Sequence, residues 1–355
     1  MSGGVDSSVV AALCVEAGCE TIGVTLQLYD QGSMRRRAGA CCAGADIGDA
    51  RRVAAQLGIP HYVLDYESIF RTAVIDHFAD AYVRGDTPVP CVECNRSVKF
   101  RDLLAVAHDL GADCLATGHY VRRLAGPEGA ELHRAVDPAK DQSYFLFATT
   151  QAQLDFLRFP LGAMTKAIVR EHAARFSLDV ARKAESMDIC FVPDGDYAAV
   201  VRSLRPEADA PGDIVDVAGN LLGKHKGTIG FTVGQRRGLD IGGQREALYV
   251  IGVEATRQRV IVGPRAALAV GSIALGQSNW LNTEISSGLT VKVRSMAAPV
   301  EASVDRGSGI IAFERLEYGI ATGQSAVVYY GDRVVGGGTI VQIDPLGSTL
   351  PTMPT

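Results

Sequence analysis

The sequence lacks the features that mark membrane, secreted or disordered chains. It contains no run of about 18 apolar residues, which excludes a membrane-spanning helix read from hydropathy. The opening "MSGGVDSSVV" has neither a basic segment nor an apolar stretch of the kind that directs secretion, so the expectation is a cytoplasmic protein. Low-complexity tracts and repeats of fixed period are also missing, which argues against disorder and against a solenoid. No basic excess exists either. The formal net charge is -5, so any contact with a polyanion must come from local clusters. Those clusters are Arg35, Arg36 and Arg37; Arg182 and Lys183; Lys224, His225 and Lys226; and Arg236 and Arg237. Each, taken singly, reads as an ordinary solvated turn.

What is present describes a globular protein of two or three domains: 355 residues, 47% hydrophobic and 21% charged. Eight cysteines without a secretion signal indicate a reducing compartment, where paired cysteines are more often catalytic or metal-binding than structural. In the first half, "SSVVAALCVEAG", "DIGDARRVAAQLG" and "VKFRDLLAVAHDLGA" have helical apolar spacing, while "TIGVTLQLY", "PHYVLDY" and "DCLATGHYV" read as strands. Strands alternating with helices predict a parallel sheet covered on both faces, an α/β architecture suited to a nucleotide. After about residue 205 the texture becomes turn-rich and glycine-dense. From about 270 short alternating runs such as "LTVKVRS", "QSAVVYY" and "VVGGGTIVQI" predict a small antiparallel barrel or sandwich.

Two local patterns carry chemistry. In "SGGVDSS" (residues 2–8) two glycines allow a tight turn and a close approach to an anion, the serines supply hydroxyls, and the following helix start attracts phosphate. It is not the Walker form, which needs a lysine after its second glycine. In "VPCVECNR", Cys91 and Cys94 sit three apart beside a helical pattern, a spacing open to metal, disulfide or thiol chemistry.

The heptad "SGGVDSS" resembles the pyrophosphate loop of N-type ATP pyrophosphatases. The order of "LGIPHYVLDY", "PCVECNRSVKF", "ATGHYVRR", "KDQSYFLF", "DICFVP", "GQRRGLDIGG" and "GQSAVVYY" is similar to the bacterial tRNA-specific 2-thiouridylases of that superfamily. The resemblance implies a catalytic α/β domain of adenine-nucleotide-hydrolase type over 1–204, a central β-rich adaptor over 205–270 and a tRNA-binding β-barrel over 271–355. It implies that ATP activates the C2 oxygen of the wobble uridine as an adenylate and that sulfur then displaces AMP. Met1, Ser2, Gly3, Gly4, Val5, Asp6, Ser7 and Ser8 would cradle the phosphates, Asp6 with help from Mg2+, and Leu26 and Gly118 would contact the nucleotide. His119, Lys140, Asp141, Gln142 and Gln324 match tRNA contacts, and Arg35, Arg36 and Arg37 could add phosphate contacts.

By the same resemblance Cys94 is the nucleophile and Cys190 carries a persulfide, delivered by a cysteine desulfurase or a sulfur-relay protein. A Cys94–Cys190 disulfide would remain after transfer. Better-known members commonly have Asp where this chain has Cys91. Three thiols at Cys91, Cys94 and Cys190 open a rival reading, a 4Fe–4S cluster with one free iron. Zinc would need a fourth ligand, with Cys41 and Cys42 not excluded. The resemblance also implies a β-strand ahead of the phosphate loop, whereas here Met1 abuts it. A different ligase of the superfamily and a non-catalytic RNA-binding protein are the alternatives from other classes. Neither needs Cys94 and Cys190. Alanine at both positions is therefore expected to abolish thiolation of tRNA in an assay with ATP, and retained thiolation would point away from thiol chemistry.

Overall fold

The computed structural model describes residues 1–29, 43–184, 189–192, 195–208, 210–242, 246–282 and 284–345. Arg35, Arg36, Arg37, Cys41 and Cys42 lie outside them. The chain divides into two compact units: residues 1–75, 91–195 and 332–334 form the first, and 76–90, 196–331 and 335–355 the second.

In the first unit the expected alternation is realised. The helix Val5–Glu16 follows the glycine loop, the strand Gly23–Gln27 pairs in parallel with His61–Asp65, and the helix Ala43–Leu57 connects them. A second parallel pair joins Leu115–Ala116 to Leu157–Arg158. The parallel strands thus form two separate pairs rather than one continuous ladder. Beside the first pair, Met1 N donates to Val24 O and Met1 O accepts from Thr25 Oγ1 at 2.6 Å, so the chain entering the loop runs against the strand Gly23–Gln27.

Burial follows the apolar spacing. Val5, Val9 and Val10 face one core with Val53, Tyr120, Leu161, Val169 and Val180. This packing locks the first helix between the helix Ala43–Leu57 and the helix Lys166–Arg175.

Two features escaped the pattern reading. "YVRRLAGPEGAELHR" folds as an antiparallel hairpin, Val121–Gly126 with Gly129–Arg134. The helical pattern after Cys94 is real, but its first part, Cys94–Asp102, is π-helical and turns α-helical only at Leu103–Asp109. Apolar periodicity finds a helix without resolving its pitch, because a π-turn adds a single residue to the hydrogen-bonded ring.

The second unit holds two β modules. Leu221–His225, Gly212–Val215, Arg259–Gly263 and Tyr249–Glu254 form a four-stranded sheet in that order, over Ile214, Leu239, Val250, Val260 and Val262. Gly212–Val215 and Arg259–Gly263 run parallel and the other neighbours antiparallel. The C-terminal module is a closed barrel, as the alternating runs predict. Its strands follow the order Ala269–Trp280, Ile310–Tyr318, Val300–Asp305, Leu289–Lys292, Ser325–Tyr330 and Arg333–Pro345, and the last pairs with the first. Closure requires curvature, and the strand Ala269–Trp280 supplies it through register shifts after Val270, Ala274 and Gly276. Gly309, at φ +73°, lets the turn pass Leu275 O, which a Cβ would approach to 2.9 Å.

The barrel core contains Ile340, fully buried among Val270, Ile273, Val291, Ile311 and Val328. Ile340→Ala is expected to cost about 2–5 kcal/mol through the cavity it leaves. Trp280, the single tryptophan of the chain, packs against that core, so its fluorescence in a urea titration reads the loss directly.

Candidate active site

The phosphate loop owes its shape to two glycines. Gly3 has φ +71°, and a Cβ there would lie 2.1 Å from Asp46 O, so neither the conformation nor the space admits a side chain. Gly4 occupies the N-cap position of the helix Val5–Glu16, and no side chain caps it. The first N–H groups of that helix are then directed at whatever occupies the loop, and the helix dipole adds positive potential. Hydroxyls brace the turn. Ser8 Oγ donates to Gly4 O at 2.8 Å, Ser7 Oγ to the same carbonyl at 3.3 Å, and Ser2 N to Ser7 Oγ at 3.0 Å. Gly118 lies across the loop, where a Cβ would come within 3.2 Å of Asp6 C and Ser7 N. Leu26 is half-buried near the end of its strand, opposite Leu64.

Two lysines that sequence reasoning did not place complete the loop. Lys166 Nζ donates to Asp6 Oδ1 at 2.7 Å, and Tyr120 OH donates to the same oxygen at 2.7 Å. Asp6 is thereby held, and one of its oxygens is already engaged. Lys183, which the sequence suggests as part of a surface basic cluster, instead donates from Nζ to Gly3 O at 3.0 Å and pairs with Asp46 and Asp49. Burial disfavours its charge, but the two carboxylates win and its pKa is raised. Asp6 and Lys166 are 160 residues apart, and Gly3 and Lys183 are 180 apart, so no local signal could have found either contact.

The thiols converge from two segments. Cys94 is buried at the start of the π-helix, and Cys91 is exposed in the short helix Pro90–Glu93. Cys190 lies in a turn fixed by Tyr29 OH, which donates to Cys190 O at 3.0 Å, and by Phe191, packed edge-on against Phe70 with centroids 5.9 Å apart. As a residue Cys190 is exposed, yet enough protein surrounds its Sγ that desolvation, with the nearby Cys94, pushes its pKa up to about 12; Lys99 opposes the rise. Burial raises the Cys94 thiol too, again against Lys99. Both are therefore thiols rather than thiolates near neutral pH.

His119 packs edge-on between Phe100 and Phe159, and its Nδ1 lies 2.9 Å from Thr117 Oγ1. Enclosure, with Lys99 nearby, lowers its pKa to about 3, so it is a neutral hydrogen-bonding ring and not a phosphate-binding cation. In the "KDQ" segment, Asp141 accepts from Ala135 N, Ser143 N and Ser143 Oγ. Gln142 Oε1 accepts from Tyr120 N at 2.8 Å. These two side chains shape the loop, and Lys140 is half-buried beside them. Gln324 belongs to the second unit; its backbone pairs with Ile340, and its buried Oε1 has no hydrogen-bond partner among the described residues.

The cluster reading gains no support from this arrangement. Among the described residues no group of three His, Cys, Asp or Glu side chains is set to hold a metal ion, although Cys91 and Cys94 both lie near enough to act on Cys190. Among the same residues no helix is long and apolar enough to cross a membrane.

Three family models match in succession: tRNA methyl transferase HUP domain over residues 1–194, tRNA methyl transferase PRC-barrel domain over 201–264, and aminomethyltransferase beta-barrel domain over 270–340. The chain is 62% identical to the tRNA-specific 2-thiouridylase MnmA of Rhizorhabdus wittichii over 341 residues, covering 96% of this chain and 90% of that protein. It is 62% identical to the enzyme of the same name from Sphingopyxis alaskensis, with 96% and 89% coverage. To that of Zymomonas mobilis it is 60% identical, with 97% and 93% coverage.

Two outcomes follow from the geometry. Gly118→Ala must push the loop at Asp6 and Ser7 aside, and is expected to raise KM for ATP by roughly tenfold in a pyrophosphate-release assay while the protein stays folded. Because the Cys190 thiol is raised, its reactive thiolate fraction grows about tenfold per pH unit toward 12, beyond the ~8.5 of a free cysteine. Iodoacetamide labelling of Cys190, followed by mass spectrometry, should therefore still accelerate between pH 9 and 10, where an ordinary cysteine levels off.

Proposed function

The chain belongs to the tRNA-specific 2-thiouridylase family, and from that premise we propose that it adenylates the C2 oxygen of the wobble uridine of tRNA and delivers sulfur to that carbon from a Cys190 persulfide. The observation that supports this most directly is the placement of Cys94 and Cys190 within electrostatic reach of each other, although 96 residues separate them, in the unit that also contains the phosphate loop.

ATP would lie with its phosphates at the loop of residues 2–8, against the N–H groups of the helix start, with its adenine side near Leu26 and with Gly118 keeping the floor clear. Lys166 holds Asp6 in place, so that Asp6 can offer its second oxygen to a Mg2+ carried with the phosphates. The uridine oxygen attacks the α-phosphorus and pyrophosphate leaves.

Sulfur enters separately. The Cys190 thiolate attacks the outer sulfur of a donor persulfide, the donor S–S bond breaks, and the donor cysteine leaves as a thiol after protonation. The terminal sulfur of Cys190 then attacks C2 of the adenylated base. Cys94 thiolate attacks Cys190 Sγ, the S–S bond to the transferred sulfur breaks, AMP leaves, and the product carries C2=S. A Cys94–Cys190 disulfide remains, and two electrons from an external thiol reductant return both residues to thiols.

The donor would be a cysteine desulfurase or a sulfur-relay protein, and the exposed Cys91 is not required by this scheme. The tRNA would be held by the catalytic domain over 1–204, by an adaptor over 205–270 and by the barrel over 271–355, with His119, Lys140, Asp141, Gln142 and Gln324 as contact positions. A cytoplasmic setting suits both the substrate and the reduced thiols.

The test is thiolation of tRNA with ATP and a persulfide donor. Cys190→Ala and Cys94→Ala should each lower 2-thiouridine formation by at least about a hundredfold, yet still release pyrophosphate when tRNA is added. Cys91→Ala should remain active. Full activity of Cys190→Ala would remove the persulfide from the scheme.

A further inference from the structure

Lys99 stands out in the first unit because no described residue neutralises it. It is half-buried in the π-helix Cys94–Asp102, and among the described residues no carboxylate or hydrogen-bond acceptor is paired with its Nζ. The carboxylates nearest in sequence are already taken: Glu93 is held by Arg96 and Ser97, and Asp102 pairs with Arg101 at 2.8 Å. A half-buried ammonium is stabilised by a nearby anion, which a sulfur can supply.

The pitch of the helix shows where. In an α-helix, residues five apart point about 140° away from each other. A π-helix closes its hydrogen bonds from i to i+5, as Leu103 N to Val98 O does here, and so places residues five apart roughly one turn above each other. Cys94 and Lys99 are five apart. The charge of Lys99 accordingly acts on Cys94, and it also acts on Cys190, which arrives from a different segment. Among the described residues the other groups acting on these sulfurs bring no second cation: Glu93 is held by Arg96 and Ser97, and Cys91 is a third thiol.

We infer that Lys99 is a positioning residue for sulfur transfer, the fixed cation that holds negative charge on sulfur at Cys94 and Cys190, and that the π-helical stretch exists to bring it there. The inference rests on the thiol scheme of the proposed function for its catalytic meaning but not for its physics. When the Cys190 thiol loses its proton, the thiolate is paired with Lys99 until it attacks the donor persulfide. When Cys94 does so in the second half of the cycle, the same ammonium serves it. A single cation between two sulfurs that ionise in turn spares the site a second buried charge.

The test uses the full chain with Lys99→Met and Lys99→Arg. Iodoacetamide labelling at pH 8 is followed residue by residue, with the exposed Cys114 as internal reference and the thermal midpoint as a check on folding. Lys99→Met is expected to slow labelling of both Cys94 and Cys190 at least fivefold relative to Cys114, and Lys99→Arg to restore most of it. In the thiolation assay Lys99→Met should lower the rate of 2-thiouridine formation while tRNA-dependent pyrophosphate release stays within twofold. Unchanged labelling at the two cysteines overturns the inference, and so does an arginine variant as impaired as the methionine one, which would mark a packing role. If labelling depends on Lys99 while Cys94→Ala and Cys190→Ala still thiolate, the charge placement stands and the persulfide scheme falls.

Discussion

The contact on which the rest of the site depends is the passage of Gly3 against Asp46. A backbone that comes this close to another carbonyl has no room for a side chain, and it needs a positive φ that only glycine adopts freely. Lys183 ties the two strands of that contact together by donating to Gly3 O and pairing with Asp46. The loop is therefore held from outside by the helix Ala43–Leu57, and from behind by Lys166 through Asp6. A rigid loop at a helix start presents its N–H groups without first ordering them, which is the main requirement for gripping a phosphate.

A second constraint concerns the sulfurs. Shielding from water protects a persulfide from side reactions but raises the thiol pKa, as it does for Cys94 and Cys190. Reactivity requires the anion. Among the described residues Lys99 has no carboxylate partner and acts on both thiols, while His119 is kept neutral between Phe100 and Phe159. The turn carrying Cys190 is anchored through Tyr29 and Phe191 to elements of the same unit.

Much of the fold was legible in the residues. "SGGVDSS" marked the loop through its resemblance to a pyrophosphate loop, since two glycines before a helix more often form only a turn, and the alternating runs after 270 marked the barrel because period-two burial reads as strand. Other readings changed once side chains had partners. Arg182 and Lys183 looked like one surface cluster, but Lys183 is spent inside the molecule. Asp141 and Gln142, in what alone reads as an exposed loop, have side chains that accept hydrogen bonds from Ser143 and Tyr120.

The sequence by itself determined the texture of the modules, a helix-start glycine loop and a CxxC-like pair at Cys91 and Cys94, because these are written in short windows, and its resemblance to a family singled out Cys190. Only the tertiary structure decided which charges are satisfied and which are not. Ion pairs such as Asp6 with Lys166, and the approach of Cys190 to Cys94, join positions far apart in the chain, and a pattern over neighbours carries no information about them. The pitch of the segment after Cys94 belongs to the same class. Its periodicity is helical in either form, and the one extra residue per turn that aligns Lys99 with Cys94 is set by packing.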